Sequence, residues 1–263
     1  MTDPVPDARV AEARLLDELA ANAMPPTSSR LLDGWLLRHT PDVPMRRANS
    51  VLTLDAGTAL DLDARLAIVE DHYRRIGRPV RLQVGDASAP AGLDGALAAR
   101  GYEIEAPVDV CTAPTATVLD RCAPTGAPEL PTLERHPVPD ERWLATWRDC
   151  DTSDRPVELY GDAYRELLAR VGPDLLALLV PGRGVAVGVR ERGRVGVFSM
   201  KTHPDHRRRG IGRALLLELA RWAQGEGATT MYLQVETEND PARALYDGAG
   251  FTRHHGYRYR TVR

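Results

Sequence analysis

Lysine is almost missing from this sequence: a single residue, Lys201, stands against 33 arginines in 263 residues. That skew, with abundant alanine, reads first as GC-rich coding, so most arginines need no functional explanation. The three cysteines, Cys111, Cys122 and Cys150, are odd in number and follow no CxxC or metal-ligand spacing. This speaks against a disulfide framework or a zinc site and suits a reducing compartment. Long hydrophobic runs are absent too, since the longest, "LLALLV" at 175–180, is far too short to cross a bilayer. The start, "MTDPVPDARVAEARLLDELA", is polar and acidic where a signal peptide would be basic and then apolar. A soluble, cytoplasmic chain is expected. Charge of one sign is lacking as well: the formal net charge of −3 gives no field that would draw the chain to nucleic acid or to an anionic membrane.

What is present is 43% apolar content, ample for a core, in a length that suits two small domains. The proline-rich stretch "APTATVLDRCAPTGAPELPTLERHPVPD" (113–140) marks their junction, giving domains at 1–130 and 131–263. Before it the pattern predicts helices over 8–23, 60–76 and 91–100, with strands in "GWLLRHT", "RRANSVLTL", "VRLQV" and "YEIEAPVDVCT". After it come helices around 140–149 and 157–171, then strands "LLALLV", "GVAVGVR" and "RVGVFSMKT". A long helix follows, then "TMYLQVE", a helix over 241–248 and "GFTRHHGYRYR". An internal repeat joins the halves. "RLQVGDASAPAGLDGALAARGYE" (81–103) and "YLQVETENDPARALYDGAGFT" (232–252) share Leu-Gln-Val, a proline eight residues after the leucine, an alanine-rich helical turn and a closing Gly-aromatic pair.

The chemistry concentrates in "HPDHRRRGIGRALLLELARW" (203–222). A strand ending at Thr202, a short loop and a helix beginning near Gly210 leave backbone N–H groups unpaired at a helix N-terminus. The helix dipole adds partial positive charge there, and Gly210 and Gly212 let an anion approach the backbone. Arg207, Arg208, Arg209 and Arg213 add charge-assisted donors, so a diphosphate is the natural ligand. The copy in the first half has "DAGTALD" (55–61) at this place, acidic where the second is basic. No G-x-x-x-x-G-K-[ST] loop and no G-x-G-x-x-G dinucleotide fingerprint is present.

Over residues 180–260 the sequence resembles the Gcn5-related N-acetyltransferase (GNAT) family. The likeness rests on "FSMKTHP", on Arg207-x-x-Gly210-x-Gly212, and on Asn239, Ala242, Leu245, Tyr246, Gly250 and Phe251 in the order that family shows. It implies an α/β (α+β) fold, a mixed, mostly antiparallel sheet flanked by helices, with a degenerate GNAT-like first half and the two units in tandem. It further implies acetyl-CoA as acyl donor and co-substrate, and a direct N-acetyltransfer in a ternary complex, with no metal. By that resemblance the diphosphate rests on Arg208, Arg209, Gly210, Ile211, Gly212 and Arg213, with Arg207 beside it. The pantetheine arm pairs with Met200, Lys201 and Thr202, Asn239 bonds the cofactor, and Tyr246 is the general acid for the leaving thiolate.

The general base departs from the pattern. Relatives resembling ribosomal-protein N-terminal acetyltransferases carry a glutamate where this chain has Gln234, so Glu236, two residues along the strand, is the base candidate, with Glu238 beyond it. His203 and His206 read as polar loop residues rather than metal ligands. In this family "WLATWRDCDTSDRPVELYGDAYRELL" and "RHHGYRYR" would line the acceptor cleft, which suits a primary amine of a small molecule or an amino acid. A protein N-terminus as acceptor, and a catalytically weak acetyl-CoA-binding regulator, remain open readings. A monomer or homodimer is expected.

Overall fold

Leu66, Val69 and Tyr73 recur at the three- and four-residue spacing of one helix face. In the computed structural model of the chain, which describes residues 8–124, 131–152 and 160–262, all three are buried. In chain order the elements of the first half are α1 (Ala8–Asn22), β1 (Ser28–Leu32), β2 (Trp35–His39), β3 (Val51–Thr53), α2 (Leu62–Arg75), β4 (Val80–Gly85), α3 (Leu93–Ala99), β5 (Glu103–Pro114) and α4 (Thr115–Cys122). The second half adds β6 (Glu134–His136), α5 (Glu141–Asp149), α6 (Gly161–Ala169), β7 (Leu175–Val180), β8 (Gly184–Glu191), β9 (Arg194–Thr202), α7 (Ile211–Gly225), β10 (Thr230–Glu236), α8 (Asp240–Gly248) and β11 (Thr252–Val262).

Two compact units result. The first is Pro26–Asp109 with the described parts of Met1–Ala21 and His254–Arg263, and the second is Asn22–Pro25 with Val110–Arg253. The chain thus re-enters the first unit inside β11. The cut expected at 130/131 borders residues 125–130, which lie outside the described residues.

In the first unit the strands run in the order β1-β2-β3-β4-β11. Neighbours are antiparallel except β3 and β4, which are parallel through Val51↔Leu82 and Leu52↔Gln83. β11 lies against β4 from Tyr257↔Gly85 to Val262↔Val80. Trp35, Leu37, Leu82 and Val84 meet the apolar face of α2 and Leu93 and Leu97 of α3 in one core. Asp61 caps α2, its carboxylate accepting the Ala64 N–H at 2.8 Å.

The second unit orders its strands β5-β10-β9-β8-β7-β6. β9 and β10 are parallel, and β6 to β9 are antiparallel in succession. Every residue of β7 is buried, the pattern of a strand covered on both faces. α7 packs against β8 and β9, and α5 against β7 and β8. Leu215, Leu216 and Leu219 of α7 enclose a core with Val195, Val197, Met231 and Leu233, while Trp143 of α5 donates its indole N–H to the Leu178 carbonyl at 3.0 Å. The mixed, mostly antiparallel sheets flanked by helices agree with the expected fold class.

Two segments differ from the sequence reading. The proline-rich stretch opens with a helix, α4, whose Val118 and Cys122 are buried one turn apart and whose first residue, Thr115, bonds the Ala228 carbonyl at 2.8 Å. Instead of a continuous strand, "RRANSVLTL" contains a 3-10 turn over Arg46–Ala48 and only the three strand residues of β3. Buried Asn49 explains the break. Its Nδ2 donates to the carbonyls of Val43 and Met45, and its Oδ1 accepts the Thr40 N–H, bonds that compete with a ladder.

Candidate active site

The parallel register between β9 and β10 runs from Arg194↔Thr230 to Val197↔Leu233. Beyond Val197, β9 keeps its pairing with β8 as far as Thr202↔Gly184, but with one extra residue on β9 between the Val187↔Phe198 and Val185↔Lys201 pairs. Ser199 sits in this bulge at φ +51, a left-handed conformation. The bulge sorts the side chains. Ser199 meets the Tyr164 hydroxyl, and Lys201 bonds Asp151 with its ammonium 4.3 Å from the centroid of the Trp147 ring. Met200 turns the other way, toward α7 and α8.

On that side β9 passes through a 3-10 turn, Pro204–His206, capped by His203, whose Nδ1 accepts the Asp205 N–H at 3.3 Å. Arg207, Arg208 and Arg209 are exposed, Arg208 has φ +61, and Gly210 caps α7 at φ +79. The first helical bond runs from the Ala214 N–H to the Gly210 carbonyl. The N–H groups of Ile211, Gly212 and Arg213 therefore have no acceptor within the helix. Buried Ile211 anchors the turn in the core. A Cβ at Gly210 would touch nothing, so its glycine answers to φ, whereas a Cβ at Gly212 would stand 2.8 Å from a Leu245 methyl. Arg213 bends away from this end: its guanidinium donates to the carbonyls of Arg121, Cys122 and Ala123 at 2.5, 3.3 and 2.8 Å, closing the C-terminus of α4.

Asn239 caps α8, its Oδ1 accepting the Ala242 N–H at 3.2 Å, which leaves its amide N–H groups as what it can offer a ligand. Two turns on, the Tyr246 hydroxyl points at Met200 Sδ, 3.8 Å away, and its ring stands edge-on to Phe251. Burial pushes the phenol up to about 12, with Cys111 adding to the shift. The group therefore keeps its proton at neutral pH.

Gln234 and Glu236 lie beyond the last β9 partner of β10, on the face opposite Leu233 and Val235, which enter the core. Gln234 Oε1 is buried without a hydrogen-bond partner, and Glu236 is exposed. The His203 and His206 rings are 5.7 Å apart, and among the described residues no group of three or more His, Cys, Asp or Glu could hold a metal. The three cysteines are buried and unbridged, and among the described residues no helix is long and apolar enough to cross a membrane. Sequence reasoning missed the Trp147, Tyr164, Asp151 cluster on Ser199 and Lys201. The aromatics of "WLATWRDC" hinted at it, but only the bulge brings them to β9. Residues 153–159 of the expected acceptor segment lie outside the described residues, and His254–Tyr259 fall in the first unit.

The arrangement offers backbone donors at a helix N-terminus, a strand edge free of its neighbour, and a protonated phenol at the bulge between them. The chain as a whole is similar to known proteins. The family described as "Probable histone acetyltransferase Rv0428c C-terminal" matches residues 10–260. "Uncharacterized N-acetyltransferase YobR" of Bacillus subtilis is 30% identical over 266 residues, covering 96% of this chain and 99% of its own. Two solved structures share the fold. A GCN5-related N-acetyltransferase from Kribbella flavida has TM-score 0.66 at 15% identity, covering 95% of each chain. A tandem GNAT protein from the clavulanic acid biosynthesis pathway has TM-score 0.65 at 13% identity, covering 98% of this chain and 95% of its own. The match over nearly the whole chain places it in the Rv0428c C-terminal family, and the protein is a GNAT N-acetyltransferase.

Proposed function

We propose that the second unit binds acetyl-CoA and that the acetyl group passes directly to a primary amine of a small molecule or amino acid, with both substrates bound together. The observation that carries this reading is the parting of β9 from β10 after Val197↔Leu233, with the open N-terminus of α7 at one side and the Tyr246 hydroxyl at the bulge. Acetyl-CoA, when bound, supplies a thioester-activated acyl group and a thiolate leaving group.

The chain's residues fit that co-substrate. The N–H groups at the start of α7 suit a diphosphate, and exposed Arg207, Arg208 and Arg209 add charge. Arg213 holds α4 instead. The edge of β9 at Met200–Thr202 offers main-chain groups to the pantetheine amides, and the Asn239 amide a further donor. Tyr246 holds a proton at its Oη and delivers it at the sulfur. Gln234 cannot accept a proton from the amine, so Glu236, on the same strand face, takes it through water. Holding both substrates in one site supplies much of the rate. Release of CoA thiol from acetyl-CoA, followed across a panel of amino acids, small amines and peptides, tests the reading, and turnover with one of the amines is the expected result.

Gln234 favours a second reading, a protein that binds acetyl-CoA and signals its supply with little turnover. Saturable acetyl-CoA binding with no thiol release on any acceptor would establish that reading over the first.

A further inference from the structure

The first unit repeats the strand-helix-strand arrangement of the second. α2 lies in sequence between the parallel strands β3 and β4, paired Val51↔Leu82, as α7 lies between β9 and β10, paired Val197↔Leu233. Residues 55–61, ahead of α2, therefore stand where the arginine-glycine loop stands ahead of α7. This loop already holds an anion. The Asp33 carboxylate, from the turn between β1 and β2, accepts the N–H groups of Thr58 at 2.9 Å, Ala59 at 3.2 Å and Leu60 at 3.0 Å. Arg65, on the first turn of α2, closes on the same carboxylate at 2.8 Å and lies over the Trp35 ring. A Cβ at Gly57 would collide with both the Arg65 guanidinium and Asp33, and Gly57 takes φ +71, so only glycine lets the three converge.

The guanidinium that closes the cradle, whose Nη2 also donates to the carbonyls of Ala56 and Leu60, has donors to spare. The Arg65 side chain is 2% exposed, yet its Nε and Nη1 are buried with no acceptor. A carboxylate has two oxygens, and these are taken by the loop N–H groups and Nη2. A tetrahedral oxyanion brings more.

We propose that the first unit contains an oxyanion-binding cradle, formed by the N–H groups of residues 58–60 and by Arg65, that is filled in cis by Asp33 and accepts a phosphate oxyanion once that carboxylate is removed. The protein thus carries its own anion in the place where the second unit takes one from solution. The Thr58 N–H above all holds the Asp33 carboxyl down at about 2, so it stays ionised and in place at any physiological pH. The first unit then takes no external diphosphate, independently of what the second unit catalyses.

The test is rescue by anion in the full chain. Thermal unfolding of wild type, Asp33→Ala and Asp33→Ala/Arg65→Ala is followed while inorganic phosphate replaces chloride at constant ionic strength. Asp33→Ala is expected to unfold several degrees below wild type in chloride and to regain stability saturably with phosphate. Wild type and the double variant should show only the shallow, unsaturating salt response. Should Asp33→Ala not fold, Asp33→Gly, which suits the left-handed φ of +41 at this position and also empties the cradle, serves with the same expectation. Calorimetry with CoA separates the sources of the oxyanion: a second equivalent bound by the variant identifies a nucleotide phosphate as able to enter, and a response to inorganic phosphate alone identifies a free oxyanion. The proposal is overturned if variant and wild type respond equally to phosphate, or if wild type binds two CoA per chain.

Discussion

The Tyr246 hydroxyl lies 3.8 Å from the Sδ of Met200, so α8 presents its phenol to the bulged end of β9. Thioether sulfur is a weak acceptor, and a stronger one brought to this point takes the hydrogen bond over. Tyr246→Phe retains the ring against Phe251 and removes only the proton donor. We expect kcat to fall on the order of 100-fold, about 2.7 kcal/mol of barrier, with CoA affinity nearly unchanged. Single-turnover rates with a working amine decide it; a rate within twofold of wild type would reduce Tyr246 to a packing residue.

Gln234→Glu places a carboxylate where a buried oxygen has no partner. If proton removal from the amine limits the reaction, kcat should rise several-fold in the variant. Its pH profile should gain an acidic limb from the new group, beside the one that Glu236 gives the wild type. An unchanged profile would show that Glu236 or water already suffices.

Gly210→Asp sets a negative side chain at the entrance of α7 and forces a left-handed residue, which costs on the order of 1 kcal/mol. Calorimetry should register loss of CoA binding with the fold kept, because a Cβ at Gly210 meets no neighbour. Gly212→Asp is a poorer probe, since it also strikes Leu245.

Arg213→Ala separates the arginines by role. It removes the donors on the last carbonyls of α4 and should lower stability by about 1 kcal/mol in denaturant unfolding, with a small effect on CoA affinity. Arg209→Ala should do the reverse. Weaker CoA binding in the first variant than in the second would reassign the diphosphate contact to Arg213.

Acid stability tests the first unit. The Asp33 pKa is lowered from 3.8 to about 2 on folding, so its ionised form is favoured in the native state. The stability it contributes is complete above the unfolded-state value and lost as pH falls through the folded one. Between about pH 4 and pH 2 the stability difference between wild type and Asp33→Asn should therefore shrink. Glu105, also held at about 2 by Arg46 and Arg81 against its own burial, is common to both proteins and cancels in that difference.

The entrance of α7 and the short helix that carries Tyr246 were legible because each is set by neighbours a few residues away. The repeat was legible for the same reason: Leu82 and Leu233 hold equivalent places in two parallel strand pairs. What stayed hidden depends on distant partners. Arg213 looks like any other arginine of its run until α4, folded out of a proline-rich segment, presents three carbonyls to it. Asp33 stands 25 residues from the Thr58 N–H it accepts, and nothing local marks it as a ligand. In the sequence, residues 55–61 show only acids where the second half has arginines; in the structure three N–H groups of this loop are taken by one carboxylate from outside it.

β11 has a consequence for how the chain is made. β4 needs β11 to complete its ladder, and β11 is translated only after all of Val110–Arg253. The first unit therefore lacks this strand until the last described element of the chain has been made. The nascent first unit waits with one edge of β4 open, the kind of exposed strand that pairs wrongly between chains.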